Sequence, residues 1–213
     1  MDVEQKWAVI ASQRRILADL VGGLSEEESR TPSLCAGWAV RDVAAHVVLA
    51  PRHPGNRGML VEAVRARGSF HRLNHDIAVR HAGDRPVAEI AGDLRAAAAS
   101  RRLPVVTRLD NVLFDTLVHV QDVAIPIGRP IAMPLNAAAA SATRVWTMGW
   151  PWWARRKLRG FRLEATDVAW SVGEGRLVTG PIQALLLLLT ARPTALPHLS
   201  GDGIAALTTA VRN

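Results

Sequence analysis

Between Asn111 and Ile125 the chain carries apolar side chains around most of a helix. At about 100° per residue, Leu113, Phe114, Leu117, Val118, Val120, Ala124 and Ile125 cover nearly the whole circumference. A helix lying on a surface shows water a wide polar face, and this one does not. A helix of this kind suits a bundle in which other helices cover it. Its few polar residues form one narrow stripe: Asp115, His119 and Asp122 fall at about 0°, 40° and −20° around the axis. A carboxylate and an imidazole one turn apart can hold two corners of a divalent-metal site, the i, i+4 arrangement of helical zinc motifs. A helix end with a solvated edge is the plainer reading of the same stripe.

The rest of the first half supplies the enclosing helices. Val3, Trp7, Ile10, Leu17, Leu20 and Leu24 recur at helical spacing and end near Gly22-Gly23. Ser25 to Arg30 is polar, and Pro32 to Gly37 reads as a loop. A second helix runs from about Ala39 to Ala50, stopped by Pro51 and Pro54. Val61 to Phe70 and Leu73 to Val79 have helical patterns, and Val87 to Ser100 is a longer helix with Pro86 suited to its first turn. Pro104 separates it from the helix of His119.

After Gly128 the texture changes. Pro130 and Pro134 form a linker, and Asn136 is placed to cap a helix running towards Trp146. Phe161 to Ala165 alternates like a half-buried strand, Val168 to Val172 is a candidate second, and Gly173-Glu174-Gly175 reads as a hairpin-type turn into Arg176 to Thr179. An apolar helix, Ile182 to Thr190, and a short one after Gly203 complete the chain. The expected organisation is an α-helical bundle over residues 1–128 followed by a small α+β domain over 129–213.

Composition narrows the setting. A single cysteine, Cys35, excludes an intrachain disulfide and suits a reducing cytoplasm, and beside Leu34 and Ala36 it reads as a small packed residue. The first residues are charged, with no signal-peptide hydrophobic region, and the longest aliphatic run, Ala184 to Leu189, is far too short to cross a bilayer. A soluble cytoplasmic protein without membrane partners is expected, and an oligomer is compatible with the chain. The net charge of +7 permits anionic partners. Arg155 to Arg159, just after Trp146, Trp150, Trp152 and Trp153, could stack nucleobases or anchor at a membrane, but tryptophans at this spacing more often pack a domain junction. Nucleic acid is therefore not the expected partner.

A third ligand can come from the second helix. His46 is flanked by Ala44, Ala45, Val47 and Val48, and an imidazole among such neighbours needs a hydrogen-bond partner or a metal. Facing helices of a bundle can bring it to Asp115 and His119. Two imidazoles and one carboxylate leave open positions on Zn²⁺ or another divalent ion, as in catalytic sites. His75 and His81, six apart, do not share a helical face. His53, His71 and His198 have no carboxylate companion at ligand spacing.

Three stretches together resemble a known family. Pro32-Ser-Leu-Cys-Ala-Gly-Trp38-Ala-Val-Arg41-Asp42-Val-Ala-Ala-His46 is similar to the N-terminal signature of the mycothiol-dependent maleylpyruvate isomerases, within the DinB-like metalloprotein superfamily. Asp115-Thr-Leu-Val-His119-Val-Gln-Asp122 resembles their second metal-binding segment. Gly180 to Pro193, with Leu199 to Gly203, resembles the C-terminal domain that many members carry.

The resemblance implies a DinB-like four-helix bundle joined to a small α+β domain of sterol-carrier type. It implies a metal held by His46, Asp115 and His119, most simply Zn²⁺, with mycothiol as cosubstrate. A metal-bound thiolate would then attack an electrophilic small molecule, in an isomerase or an S-transferase reaction. Arg192 is implied as the catalytic partner of an anionic substrate, although an arginine there can equally satisfy helix C-terminal carbonyls. Trp38 is the candidate wall of the thiol pocket, or simply a core tryptophan. Asp122 is a candidate orienter of a ligand imidazole, or a partner of Arg41 or Arg108.

This chain departs from the family pattern in having aspartate, one methylene shorter, where the isomerase has glutamate. A metal must then sit closer to that helix or take a bridging water. Ala39 stands where relatives often have a serine or threonine N-cap, leaving Asp42 to supply about 0.3–1 kcal/mol of charge–dipole stabilisation. Two other functions stay open on the residues alone: a metal- or ligand-binding module without catalysis, and a hydrolase using metal-activated water.

Overall fold

The computed structural model describes residues 1–52, 69–103 and 107–212. The helix expected over Val61 to Phe70 lies, up to position 68, outside the described residues, as do His53, Pro54 and Pro104. The chain divides into two compact units, Asp2–Ile131, and Ala132–Asn213 with Met1.

In the first unit, α1 (Val3–Gly22) opens on a capping box: the Asp2 carboxylate accepts from the Gln5 amide at 2.7 Å, and Gln5 Oε1 accepts from the Asp2 amide at 3.0 Å. The polar segment Ser25 to Arg30, given no element in the sequence, contains one turn of helix, α2 (Glu26–Ser29). Its cause was visible as the Ser25-x-x-Glu28 spacing, because Ser25 and Glu28 cap each other's amides at 3.1 and 2.8 Å. Thr31 to Ala39 then makes a tight excursion closed by Val40 N to Thr31 O and Ser33 N to Trp38 O, both 2.9 Å. This loop presents Cys35 and Trp38.

The second long helix, α3 (Val40–Leu49), starts without a side-chain cap on Ala39, but the Asp42 carboxylate accepts from the Ala39 amide at 2.8 Å. Half of a capping box thus survives the loss of the hydroxyl. Next come α4 (Phe70–Ala82), longer than the pattern from Leu73 to Val79 implied, and α5 (Val87–Ala97), which Pro86 precedes as N-cap. The stripe-bearing helix, α6 (Leu109–Ala124), packs against α1 and α3, and α5 packs against the same two. Ala44 and Ala45 on α3 and Val120, Val123 and Ala124 on α6 are fully buried in the same core. Small residues on α3 let backbones approach closely, and that proximity delivers the polar stripe of α6 to the side chains of α3.

The second unit begins with α7 (Leu135–Thr147), whose N-cap is Pro134, with Asn136 already inside the first turn. After a four-residue helix, α8 (Ala154–Lys157), come β1 (Gly160–Ala165), β2 (Ser171–Gly173) and β3 (Gly175–Gly180). The sheet order is β2-β1-β3, with β1 antiparallel to β2 and parallel to β3. Gly173-Glu174-Gly175 is therefore not a hairpin turn. It carries the chain across the start of β1, pairing Gly173 with Arg162 and Gly175 with Gly160. Both glycines have positive φ (78° and 119°), and a Cβ on either would run into the carbonyl oxygen of Phe161 or Gly160. Gly175→Ala is expected to destabilise this unit by about 1–3 kcal/mol or more, seen as a thermal-unfolding midpoint lower by at least about 5 °C.

An apolar helix, α9 (Ile182–Leu189), packs on α7 and on the 3-10 helix Pro193–His198, burying Ile182, Leu185 and Leu186 completely. α10 (Ile204–Arg212) ends the described chain. Among the described residues, no helix is long and apolar enough to cross a membrane.

Candidate metal centre

The polar stripe of α6 meets α3. Asp115 Oδ2 lies 3.7 Å from His46 Nε2, Asp115 Oδ1 lies 3.2 Å from His119 Nε2, and one donor atom from each of the three falls within 4.8 Å of the others. The two imidazoles face each other edge to face, with centroids 4.9 Å apart. Two ligands of one tetrahedral zinc, bonded at about 2.0–2.1 Å, are separated by roughly 3.3–3.5 Å. Both separations on Asp115 lie close to that ligand spacing, so the donor set fits a divalent cation. The shorter aspartate still spans both imidazoles, one oxygen to each. Side-chain exposures of 19% for His46, 34% for Asp115 and 12% for His119 leave the cluster open to a small ligand.

Behind His119 lies a second layer. Asp122 is fully buried, and its Oδ2 is 2.8 Å from His119 Nδ1 and 3.1 Å from Cys35 Sγ. These separations are hydrogen-bond lengths, shorter than the spacing of two ligands on one ion. Cys35, His119 and Asp122 are thus joined by hydrogen bonds, with His119 shared between this group and the first cluster. Asp122 accepts from His119 Nδ1 and from the thiol, which leaves Nε2 directed at Asp115. Arg41, one of the partners considered for Asp122, instead donates to the carbonyls of Ala82 and Arg85 and lies 3.6 Å from Glu26.

Cys35 in this role escaped sequence reasoning. No periodicity links positions 35 and 122; the link is the loop, anchored to α6 by Leu34 N to Asp122 O at 3.2 Å. Trp38, at the other end of that loop, stands edge-on to His46 at 5.6 Å and to His75 at 5.5 Å between centroids. His75, passed over in the sequence, is thus in the shell around the cluster, with its Nδ1 3.0 Å from Asp76.

The charges are strongly coupled. Burial pushes the Asp115 carboxyl up, but His119 and His46 outweigh it and hold the group well below the usual carboxylate range. Burial likewise pushes His119 down, yet Asp115, Asp122 and Cys35 together raise it well above an ordinary imidazole. Without a cation, His119 carries a proton at neutral pH and Asp115 is ionised.

A match to the family model described as the mycothiol maleylpyruvate isomerase N-terminal domain covers residues 10–124. The chain belongs to that family. The matched segment contains Cys35, Trp38, His46, Asp115, His119 and Asp122, so the family's own region holds the whole cluster. Two solved structures share the fold: the mycothiol-dependent maleylpyruvate isomerase (14% identity, TM-score 0.63) and a histidine-to-alanine mutant of it (12%, 0.61). Each comparison covers 95% of this chain and 93% of the other. A comparison with curated proteins finds no significant match.

Arg192 lies outside the matched segment, in the second unit. It is 7% exposed, donates from Nη1 to the Thr190 carbonyl at 2.6 Å, and stacks its guanidinium 5.4 Å from the Trp152 ring centroid. Its backbone amide bonds Leu187 O at 2.8 Å, at the end of α9. The helix-end role anticipated for it is present.

Proposed function

We propose that this family member is a divalent-cation-dependent enzyme in which a low-molecular-weight thiol, mycothiol by family, attacks an electrophilic small molecule. The reaction is of isomerase or S-transferase type. The observation that carries this reading is the convergence of His46, Asp115 and His119 at ligand spacing inside the family's own segment. We read the first unit as the family's four-helix bundle and the second as its sterol-carrier-like partner, with the boundary near residue 129.

In this reading His46, Asp115 and His119 hold the cation, zinc by the chemistry of the donors. When bound, it supplies the positive charge that keeps a thiol ionised at neutral pH. Asp122 fixes the His119 ring so that Nε2 faces the cluster, and Cys35 shares the charge on Asp122. Trp38 bounds the side of His46 and excludes water where the thiol enters. Arg192 is assigned to an anionic group of the substrate. Arg192→Lys should raise KM for an anionic electrophile more than it lowers kcat.

Cation binding must displace the proton from His119 Nε2. His119 is raised in the folded state, so the stability it draws from Asp115 is full below the ordinary imidazole value. That stability is lost as pH rises through the raised folded value. Zinc competes with that proton, and zinc affinity should therefore climb with pH over the same window. Calorimetry at pH 7 in two buffers of different ionisation enthalpy should report release of about one proton.

The functional test is turnover of an electrophile by the zinc-loaded protein with and without thiol. Thiol-dependent turnover lost to chelator supports the reading. Turnover that needs the metal but no thiol would assign a hydrolase.

A further inference from the structure

The second unit carries a groove that this chemistry does not use. Its volume is about 790 Å³, within the range of small-molecule sites. Buried Leu158 and Phe161 contribute apolar lining, Trp146 and Trp153 give it aromatic faces, and Arg155, Arg156 and Arg159 supply charge. Trp153 is 46% exposed, and its indole lies against Gly149, where a Cβ would sit 3.1 Å from the ring. Trp146 lies in the same way against Gly173, at 3.3 Å. Two glycines thus clear the space that two indoles occupy.

Trp153 also has a left-handed backbone, φ 53°, which costs a side-chain-bearing residue about 1–3 kcal/mol. The surroundings hold it there. Its amide donates to Gly149 O at 2.7 Å, and its carbonyl accepts from Arg156 and Lys157.

Among the described residues the bases of this groove are unpaired. Elsewhere Arg52 and Arg85 pair with Asp93, Arg95 with Asp19, Arg101 with Glu4, and Arg162 with Glu164. Among the described residues, Arg155, Arg156, Lys157 and Arg159 form no ion pair, although Glu174 also lines the groove. Residues 132–213 hold nine Lys and Arg against four Asp and Glu.

We propose that this groove binds a small organic anion with a planar apolar body, an aromatic carboxylate in class. The ring lies against Trp153 and Trp146, and the carboxylate takes the guanidinium groups of Arg155 and Arg156 in paired hydrogen bonds. Concavity and the acidic Glu174 on the lining favour a compact ligand over a nucleic-acid strand, which needs an extended basic track.

Calorimetric titration of the full chain with naphthoate tests this, with naphthamide and acetate as probes lacking the charge or the ring. Naphthoate should bind saturably, and each control at least about tenfold more weakly. The double substitution Arg155→Gln and Arg156→Gln should cost about tenfold or more, as should Trp153→Gly, which removes the ring while relieving the backbone. His46→Ala should leave naphthoate binding intact, which separates this site from the metal cluster. Absence of saturable binding, equal binding of naphthamide, or full binding by both groove variants would overturn the proposal. So would a single-stranded oligonucleotide whose binding depends on Arg155 and Arg156 when naphthoate binding does not.

Discussion

His46→Ala and His119→Ala should each cost more zinc affinity than the roughly 10–100-fold that follows loss of a ligand's hydrogen-bond partner. Each removes one of three donors, and the two that remain cannot enclose an ion. The two variants should differ in the metal-free protein. His119 takes Asp115 through Nε2 and Asp122 through Nδ1, whereas the ion-pair contact of His46 in this cluster is to Asp115, at a longer 3.7 Å. His119→Ala takes from the fully buried Asp122 carboxylate the donor at 2.8 Å and should unfold at a clearly lower temperature. His46→Ala should melt close to the parent chain. Competition against a chromophoric chelator reads the affinities, and calorimetry reads the melting. Zinc affinity in either variant equal to the parent would remove that histidine from the site.

Asp122 carries the second large effect. Asp122→Ala should destabilise the metal-free protein by about 1–3 kcal/mol, because it leaves the buried Nδ1–H of His119 without its acceptor while Asp115 still pairs with Nε2. Asp122→Asn keeps the size and one acceptor and should largely spare the fold. It should nonetheless weaken zinc binding about 10–100-fold, because a neutral amide supports the imidazole less than a carboxylate does. Cys35→Ser retains a donor to Asp122 and should change zinc affinity little, whereas Cys35→Ala should cost stability on the order of 1 kcal/mol. A Cys35→Ser variant that lost zinc outright would make the thiol a ligand, against the hydrogen-bond spacing of 3.1 Å.

The sequence made some of this legible through periodicity. The near-continuous apolar girdle of α6 suggested enclosure, and its spacing put Asp115, His119 and Asp122 on one narrow stripe that a solvated edge would have explained equally well. His46 stood out because its helical neighbours are alanine and valine. Helical period relates residues within one element, and it says nothing of loops that fold back. That is why Cys35, set by the Leu34–Asp122 backbone bond, and His75, set by the packing of Trp38, were missed. The sheet failed for a similar reason. Gly173-Glu174-Gly175 has the composition of a hairpin turn, yet its glycines serve a passage across the start of β1. Composition records that positive φ is needed, and strand order depends on partners far along the chain. At Ala39 the missing hydroxyl removes one half of a capping box, and Asp42, three residues on, keeps the other half by accepting from the Ala39 amide.

X-ray absorption at the zinc edge of the loaded protein, with and without added thiol, tests the His46, Asp115 and His119 site most directly. Only nitrogen and oxygen neighbours at about 2.0–2.2 Å are expected in the absence of thiol, and one sulfur at about 2.3 Å once thiol is added. A spectrum that thiol leaves unchanged, or one that already contains sulfur from Cys35, would contradict that assignment.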